Sequence, residues 1–325
     1  MKTAFLFPGQ GAQTVGMGAD IADAFPACGA VFDRANDILG YDLKRLCFEG
    51  PESQLDSTTV SQPAIFVTSA AILSLLRGDR AVADIAPDVT AGLSLGEYTA
   101  LYAAGAMTFE QALVLVQKRG QAMQAAAEAT RGGMVSIIGL DADAVQAVCD
   151  EAAEGQLLKP ANFNCPGQIV ISGRLEACDR AVEAAQRRGA VKAVKLKVAG
   201  AFHTEMMSPA ADALAEALAA SAIKAPEKIR AMANVDAAYY TDAGHVRRGL
   251  VRQLVEPILW QKCMERLLDE DVEAYYEIGP GRVLTGLMKR INRKAKVVNV
   301  SDLSSIRQLR SQPVGNEWAG ALKRD

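Results

Sequence analysis

The sequence has few histidines and no closely paired cysteines, and these two gaps argue against the common metal and disulfide sites. Only two histidines occur in 325 residues, too few for a histidine-rich metal site. No C-x-x-C pair is present, and the pattern predicts reduced thiols in a core, with no disulfide framework or zinc site. The six scattered cysteines are Cys28, Cys47, Cys149, Cys165, Cys178 and Cys263.

Long apolar runs and a strong net charge are also missing. No run reaches the roughly 18 residues of a membrane span, and the apolar stretch at Met1–Pro8 is too short for a signal-peptide core. A formal net charge of −3 gives no reason to expect nucleic-acid binding. The composition, 50% hydrophobic and 22% charged, is that of an ordinary globular protein. We therefore expect a cytoplasmic protein with neither a membrane nor a nucleic-acid partner.

A Gly-x-Ser-x-Gly pattern centred on Ser94 is the strongest chemical signal in the chain. It follows a loop and short strand predicted over 84–92 and precedes a helix predicted from Glu97 to Ala104. A serine in this setting indicates a nucleophile elbow, whose glycines let two backbones approach closely. The turn would place the serine at a helix N-terminus, where the N–H of Leu95 could bind an oxyanion. The alternative is a glycine-rich turn without chemistry.

A serine nucleophile needs a base, and the chain offers His203 or His245. We predict a solvated loop around His245. His203 follows an apolar Gly-Ala-Phe stretch where a cleft could form, so we favour it. No acidic residue stands out as a third member. Arg119 lies among apolar residues of a helix predicted over 109–127, a pattern more typical of a surface arginine.

Residues 130–198 are predicted to form a self-contained unit within a larger α/β pattern. Their predicted order is β-α-β-β-α-β, which is that of a ferredoxin-like split βαβ module. Elements of the α/β pattern precede and follow the unit, so it is predicted to be an inserted subdomain. Residues from about 302 onward are polar and weakly periodic, which predicts a loose tail.

Seven stretches of the chain, in unbroken order over about residues 2–300, resemble the malonyl-CoA:acyl carrier protein transacylases and the related acyltransferase domains of fatty-acid and polyketide synthases. They are Phe7-Pro8-Gly9-Gln10-Gly11-Ala12-Gln13, Gln62-Pro63-Ala64, Gly92-x-Ser94-Leu95-Gly96-Glu97-Tyr98, Gln117-Lys118-Arg119-Gly120, Asn162-x-Asn164-x-Pro166-Gly167-Gln168, Ala201-Phe202-His203 and Glu277-Ile278-Gly279-Pro280-Gly281. The resemblance implies an α/β fold: an α/β-hydrolase-like core over 1–129 and 199–300, a ferredoxin-like subdomain over 130–198 and a C-terminal tail over 301–325.

The resemblance also implies roles for the reacting groups. It makes Ser94 the nucleophile and His203 its base. It makes the backbone N–H groups of Gln10 and Leu95 the oxyanion hole. The partner of the histidine would be a backbone carbonyl near Gln253, which fits the missing acid.

Substrate contacts follow from the resemblance in the same way. It makes Arg119 the partner of the malonyl carboxylate and places Gln62 and Asn162 as polar residues of the cleft. Phe202 is similar to the residue found in malonyl-selective members, since its ring would crowd a 2-methyl branch. One position departs from the family, which usually has histidine where this chain has Leu93.

The implied reaction is ping-pong transfer of a malonyl group from malonyl-CoA to the thiol of acyl carrier protein, with no metal or other cofactor. Alternatives are a polyketide-type acyltransferase, a serine thioesterase or hydrolase, and a non-catalytic binding subunit. An acidic carrier could dock on one of two exposed basic runs, each also explained as a solvated face. The runs are Lys192, Lys195 and Lys197, and Lys289, Arg290, Arg293 and Lys294.

Overall fold

The computed structural model describes residues 1–78 and 85–311. Asp84, the first residue of the predicted loop before the elbow, and residues 312–325 of the predicted tail lie outside this description. The described residues form nine strands: β1 (Thr3–Phe7), β2 (Val89–Gly92), β3 (Gly132–Ile138), β4 (Leu158–Cys165), β5 (Gln168–Arg174), β6 (Lys192–Lys195), β7 (Arg230–Ala231), β8 (Ala274–Ile278) and β9 (Val297–Val300).

Fourteen α-helices are formed by the described residues, together with a 3₁₀ turn at Glu205–Met207. They are α1 (Ala19–Ala24), α2 (Pro26–Leu39), α3 (Leu43–Glu49), α4 (Glu52–Leu55), α5 (Thr58–Gly78), α6 (Gly96–Ala103), α7 (Phe109–Ala129), α8 (Ala142–Ala153), α9 (Leu175–Arg187), α10 (Ser208–Ala219), α11 (Ala243–Val255), α12 (Trp260–Asp269), α13 (Val283–Ile291) and α14 (Leu303–Arg310).

A five-stranded parallel sheet forms the centre of the molecule, with strand order β7-β2-β1-β8-β9. Successive side chains of a strand point to opposite faces. On β1, Phe5 and Phe7 enter one apolar cluster, whereas Ala4 and Leu6 enter another. Because both faces of β1 are buried, its sequence is a continuous apolar run without alternation. This explains why the strand was predictable with its correct bounds.

The long apolar helix α5 lies inside the fold. Its length and mean hydropathy would allow it to cross a membrane, yet 78% of its most apolar window is buried within the protein. Pro63 stands in its sixth position, past the first turn where helices tolerate proline best, so one backbone donor of the helix is missing there. The helix is therefore explained as a core element that packs against the central sheet.

A second sheet of four antiparallel strands has the order β4-β5-β3-β6. Its apolar side chains share one cluster with those of α8 and α9. This is the strand order of a ferredoxin-like module, and the predicted α/β fold class is confirmed. The division into a core over 1–129 and 199–300 and a subdomain over 130–198 stays a prediction.

The expectation of a loose tail from about residue 302 is wrong over Leu303–Arg310, which form α14. Asp302 and Ser305 make a capping box at its start. Ile306 and Leu309, three positions apart, are buried, and this spacing puts them on one face of the helix. With Leu303, the helix has only three apolar residues, too few to reveal it by periodicity, so only the contact with the core identifies it.

Candidate active site

The turn around Ser94 has the predicted strand–turn–helix form. β2 ends at Gly92, and α6 begins at Gly96. A Cβ on Gly92 would lie 2.0 Å from the backbone of Gly96, and one on Gly96 would lie 2.1 Å from the carbonyl oxygen of Phe7. Ser94 itself has φ of 50°, a left-handed conformation that costs a non-glycine residue free energy. The local sequence therefore folds this way because only glycine fits on either side.

The hydroxyl of Ser94 lies between a histidine and an arginine. Its Oγ is 3.0 Å from Nε2 of His203 and 3.0 Å from Nη2 of Arg119. Nδ1 of His203 lies 2.6 Å from the backbone carbonyl oxygen of Gln253. A carbonyl only accepts hydrogen bonds, so Nδ1 carries the ring proton. Nε2 is then free to accept the serine proton.

His203 is almost completely buried and is uncharged at rest. Its exposed fraction is 4%. The pKa of the imidazole is lowered to about 3, because burial, together with the charge of Arg119, outweighs the bond to the Gln253 carbonyl, which raises it. A neutral histidine at neutral pH can act as a base without first losing a proton.

His245, the alternative base, does not lie in a loop as predicted. It occupies the first turn of α11, where its backbone N–H donates to the side chain of Asp242 at 2.7 Å. Its ring lies edge-on to Tyr240, with centroids 5.1 Å apart, and Nδ1 is 3.3 Å from Oγ1 of Thr241. None of these groups belongs to the arrangement around Ser94.

Arg119 is not the surface residue that its local pattern suggests, because its side chain is only 1% exposed. Nη1 donates to Oε1 of Gln62 on α5 at 2.6 Å, and Nη2 donates to Oε1 of Gln253 at 2.9 Å as well as to Ser94. Its buried Nε–H has no hydrogen-bond partner among residues 1–78 and 85–311. The guanidinium is thus fixed by two glutamines beside the serine.

A cleft of about 400 Å³ opens in front of Ser94, lined by the loops after β1 and β2, by the antiparallel sheet and by residues of α7 and α13. Asn162 on β4 and Phe202, next to His203, are among its lining residues. Leu93 lines it too and packs against the apolar cluster on the Leu6 face of the central sheet. Within the described parts of the chain, no group of three or more His, Cys, Asp or Glu side chains is placed to hold a metal ion.

Two backbone N–H groups near the serine are available to a ligand. Those of Gln10, in the loop after β1, and Leu95, at the start of α6, donate no hydrogen bond to any other described residue. The two loops touch, since a Cβ on Gly9 would lie 2.3 Å from the carbonyl oxygen of Leu93. The predicted oxyanion donors thus lie on backbone segments in direct contact.

Sequence reasoning did not identify the polar residues behind the elbow. Oδ1 of Asn234 accepts from the backbone N–H of Ser94 at 2.7 Å, and its Nδ2 donates to the carbonyl oxygen of Gly92 at 2.8 Å. Asn234 lies just after β7, which neighbours β2 in the sheet. Its place at the carboxyl end of a parallel strand was the available signal. Glu97 lies within the elbow motif, but the motif does not tell where its side chain points.

Together, the parallel α/β core and the elbow serine beside a buried histidine and arginine are typical of enzymes that transfer acyl groups through a serine. A model of the acyl transferase domain matches residues 4–312. This match extends past the boundary near residue 300 that the motifs suggested. The chain belongs to the acyl transferase family and is an acyltransferase.

The relatives in this family are malonyl transacylases. The malonyl CoA-acyl carrier protein transacylase of Escherichia coli (strain K12) is 46% identical over 288 residues, covering 89% of this chain and 92% of the relative. That of Bacillus subtilis (strain 168) is 44% identical over 306 residues, covering 94% and 95%. A malonyl-transacylase solved in complex with a type II PKS acyl-carrier protein is 42% identical, with a TM-score of 0.90 and coverage of 95% and 99%.

Proposed function

We propose that this protein transfers the malonyl group of malonyl-CoA to the phosphopantetheine thiol of acyl carrier protein, and so supplies malonyl units for fatty-acid synthesis in the cytoplasm. The observation that carries the proposal is the hydroxyl of Ser94, held between Nε2 of His203 and Nη2 of Arg119. The names of the relatives support it, as does the neighbour solved with a carrier protein.

In the first half-reaction, Oγ of Ser94 attacks the thioester carbonyl carbon while His203 takes the hydroxyl proton at Nε2. The carbonyl oxygen becomes an oxyanion, which the N–H groups of Gln10 and Leu95 stabilise. The carbon–sulfur bond then breaks, and His203 returns the proton to the departing CoA sulfur. The carbonyl of Gln253 keeps the imidazole in the required tautomer throughout.

In the second half-reaction, the thiol of the carrier attacks the malonyl ester of Ser94. His203 takes the thiol proton and gives it to the departing Oγ, which restores the free enzyme. One thioester replaces another across the whole cycle, so the proposal includes no metal and no cofactor beyond the CoA thioester itself.

Arg119 is proposed to select the malonyl group. A carboxylate in a buried site needs a fixed cation, and the planar guanidinium can hold both oxygens. The glutamine contacts of Arg119 leave its Nε–H without a protein partner. We assign Gln62 to the orientation of Arg119, and Asn162 and Phe202 to the walls around the acyl group.

Replacing Arg119 by alanine should lower kcat/KM for malonyl-CoA. The expected loss corresponds to about 2–5 kcal/mol of pairing between Arg119 and a buried carboxylate. Transfer of acetyl, which lacks the carboxylate, should be spared or raised. Arg119→Lys should be intermediate because it keeps the charge and loses the fork. The measurement is kcat/KM for malonyl-CoA and acetyl-CoA on all three proteins. An equal fall for both substrates would show that Arg119 supports the fold and does not recognise the carboxylate.

The proposed function itself is tested by intact mass after mixing the protein with malonyl-CoA and then with carrier protein. A transacylase gains a malonyl group and loses it only when the carrier thiol is present. A hydrolase would release free malonate at a rate independent of the carrier. A non-catalytic binding subunit would gain no mass.

Leu93 bears on the binding-subunit alternative, because the family usually has histidine there. We expect Leu93→His to leave transfer within about tenfold, since the substitution alters neither Gly92 nor Gly96, on which the turn depends. The measurement is malonyl transfer by the variant and the wild type under one set of conditions. An inactive wild type that Leu93→His activates would identify a degenerate site.

Either of the two basic runs could be the docking surface for the carrier, and the choice between them stays open as a prediction. Both are exposed, but each contains a residue that already has a partner within the protein. Lys195 pairs with Asp179, and Arg290 donates to Oε1 of Gln168 at 2.8 Å.

A further inference from the structure

A buried carboxylate lies behind the elbow and takes no part in the mechanism above. Glu97, in the first turn of α6, has no exposed surface. Oε1 accepts a hydrogen bond from the hydroxyl of Tyr240. Oε2 accepts from Nε2 of Gln253 at 2.6 Å and from the backbone N–H of Asn234 at 3.3 Å. All the partners of this carboxylate are therefore donors.

Gln253 connects Glu97 to three reacting groups at once. Its Nε2 also donates to the carbonyl oxygen of Ser94 at 3.0 Å, its Oε1 accepts from Arg119, and its backbone carbonyl accepts from His203. A side-chain amide can be turned over, which exchanges its oxygen and nitrogen. In the reversed orientation, the NH₂ group of Gln253 would face the guanidinium of Arg119, and two donors would then meet without an acceptor.

The carboxylate of Glu97 prevents that reversal. A carboxylate only accepts hydrogen bonds, so it requires the NH₂ group of Gln253 to face it and thereby turns Oε1 toward Arg119. Glu97 also accepts from the backbone of Asn234, whose side chain holds the N–H of Ser94. Thus the buried carboxylate of Glu97 orients both Gln253 and Asn234, the two residues whose side chains bond to the backbone of Ser94.

We propose that Glu97 is a positioning residue for acyl transfer: through Gln253 and Asn234 it keeps Arg119, His203 and the backbone of Ser94 in their reacting arrangement. This inference rests on the proposed function. The side chain of Glu97 contacts Tyr240, Gln253 and Asn234 but neither the Ser94 hydroxyl nor His203, so it acts on the rate of acylation only through the residues that it positions.

A purely structural role is the competing explanation, because an acidic residue in the first turn stabilises a helix. That role predicts a change in stability with unchanged kinetics. The ionisation of Glu97 provides a second readout. The pKa of its carboxyl is raised to about 7, because burial outweighs the bonds from Tyr240, Gln253 and Asn234 and the charge of Arg119, which lower it.

The other ionisable groups that face Glu97 keep one protonation state around neutral pH. Burial raises the pKa of Tyr98 on α6, of Tyr240 before α11 and of Cys263 on α12, so all three stay neutral. Arg119 on α7 stays charged. The charge of Asp236 helps to raise the pKa values of Tyr240 and Cys263. Since His203 is already neutral there, a change of rate near pH 7 that Glu97→Gln removes would report Glu97.

The test is the single-turnover rate of malonyl-enzyme formation, followed by intact mass after rapid quenching from about pH 5.5 to 9. The wild-type rate should fall as the pH drops through about 7. Glu97→Gln should lower the plateau rate about tenfold to a hundredfold, as expected for small misplacement of reacting groups. It should also remove the pH step. Glu277→Gln is the matched control, because Glu277 is equally buried but caps α13 through Leu284 and Thr285. It should retain the wild-type profile.

Tyr240→Phe keeps the inference testable if Glu97→Gln does not fold. It removes one donor to Glu97, so the pH step should move upward. A Glu97→Gln protein with the wild-type rate and profile would overturn the inference, whether or not its stability changed, and so would an unmoved step in Tyr240→Phe. A wild type that forms no malonyl-enzyme would instead overturn the proposed function, and this inference with it.

Discussion

Replacing Ser94 by alanine is expected to abolish the covalent malonyl-enzyme and to leave the fold in place. The side chain loses its only nucleophilic atom, while Arg119 keeps its bonds to Gln62 and Gln253, and His203 keeps its bond to the Gln253 carbonyl. Intact mass after incubation with malonyl-CoA measures the loss, and thermal unfolding measures the fold. A malonyl adduct on the alanine variant would remove Ser94 from its proposed role.

A matched control for this variant is Ser94→Gly, which also lacks the nucleophile. Position 94 has φ of 50°, which glycine adopts without strain and alanine does not. The glycine variant should therefore be the more stable of the two by about 1 kcal/mol. Both should be inactive, which separates the chemical role of the hydroxyl from the backbone strain of the turn.

Replacing His203 by alanine should slow acylation by about 10²–10⁴-fold, the usual contribution of a general base. The substitution removes the acceptor 3.0 Å from the serine hydroxyl. His245→Ala is the control and should be silent, because its ring lies against Tyr240, Thr241 and Asp236, away from the Ser94 hydroxyl. The measurement is the acylation rate of both variants. A large loss for His245→Ala alongside an active His203→Ala would reverse the assignment of the base.

The sequence was most informative where local rules determine the structure. β1 and the elbow could be predicted because a doubly buried strand is a continuous apolar run, and because Gly92 and Gly96 have no substitutes in so tight a turn. The ferredoxin-like module could be predicted from its element order alone. His203 was chosen for its place where that module rejoins the core, and the structure brings it to Ser94.

The sequence was least informative where residues far apart in the chain meet. The pattern around Arg119 suggested a surface position because the two glutamines that hold it, Gln62 and Gln253, lie 57 and 134 positions away. Glu97 is held by partners 137 to 156 positions away. Periodicity and residue spacing reflect only the local backbone conformation. They therefore cannot predict buried polar contacts between residues so far apart in the sequence.

The contact between the loop after β1 and the elbow has a consequence for how the reaction begins. No side chain separates the two backbones, since a Cβ on Gly9 would meet the carbonyl oxygen of Leu93 and one on Gly96 that of Phe7. The N–H groups of Gln10 and Leu95 therefore cannot drift apart independently. Water would have to reorient its dipoles around a newly formed oxyanion, whereas dipoles fixed by backbone contact are already aligned. In the proposed reaction, the reorganisation that solvent would otherwise perform in every turnover is completed once, when the chain folds.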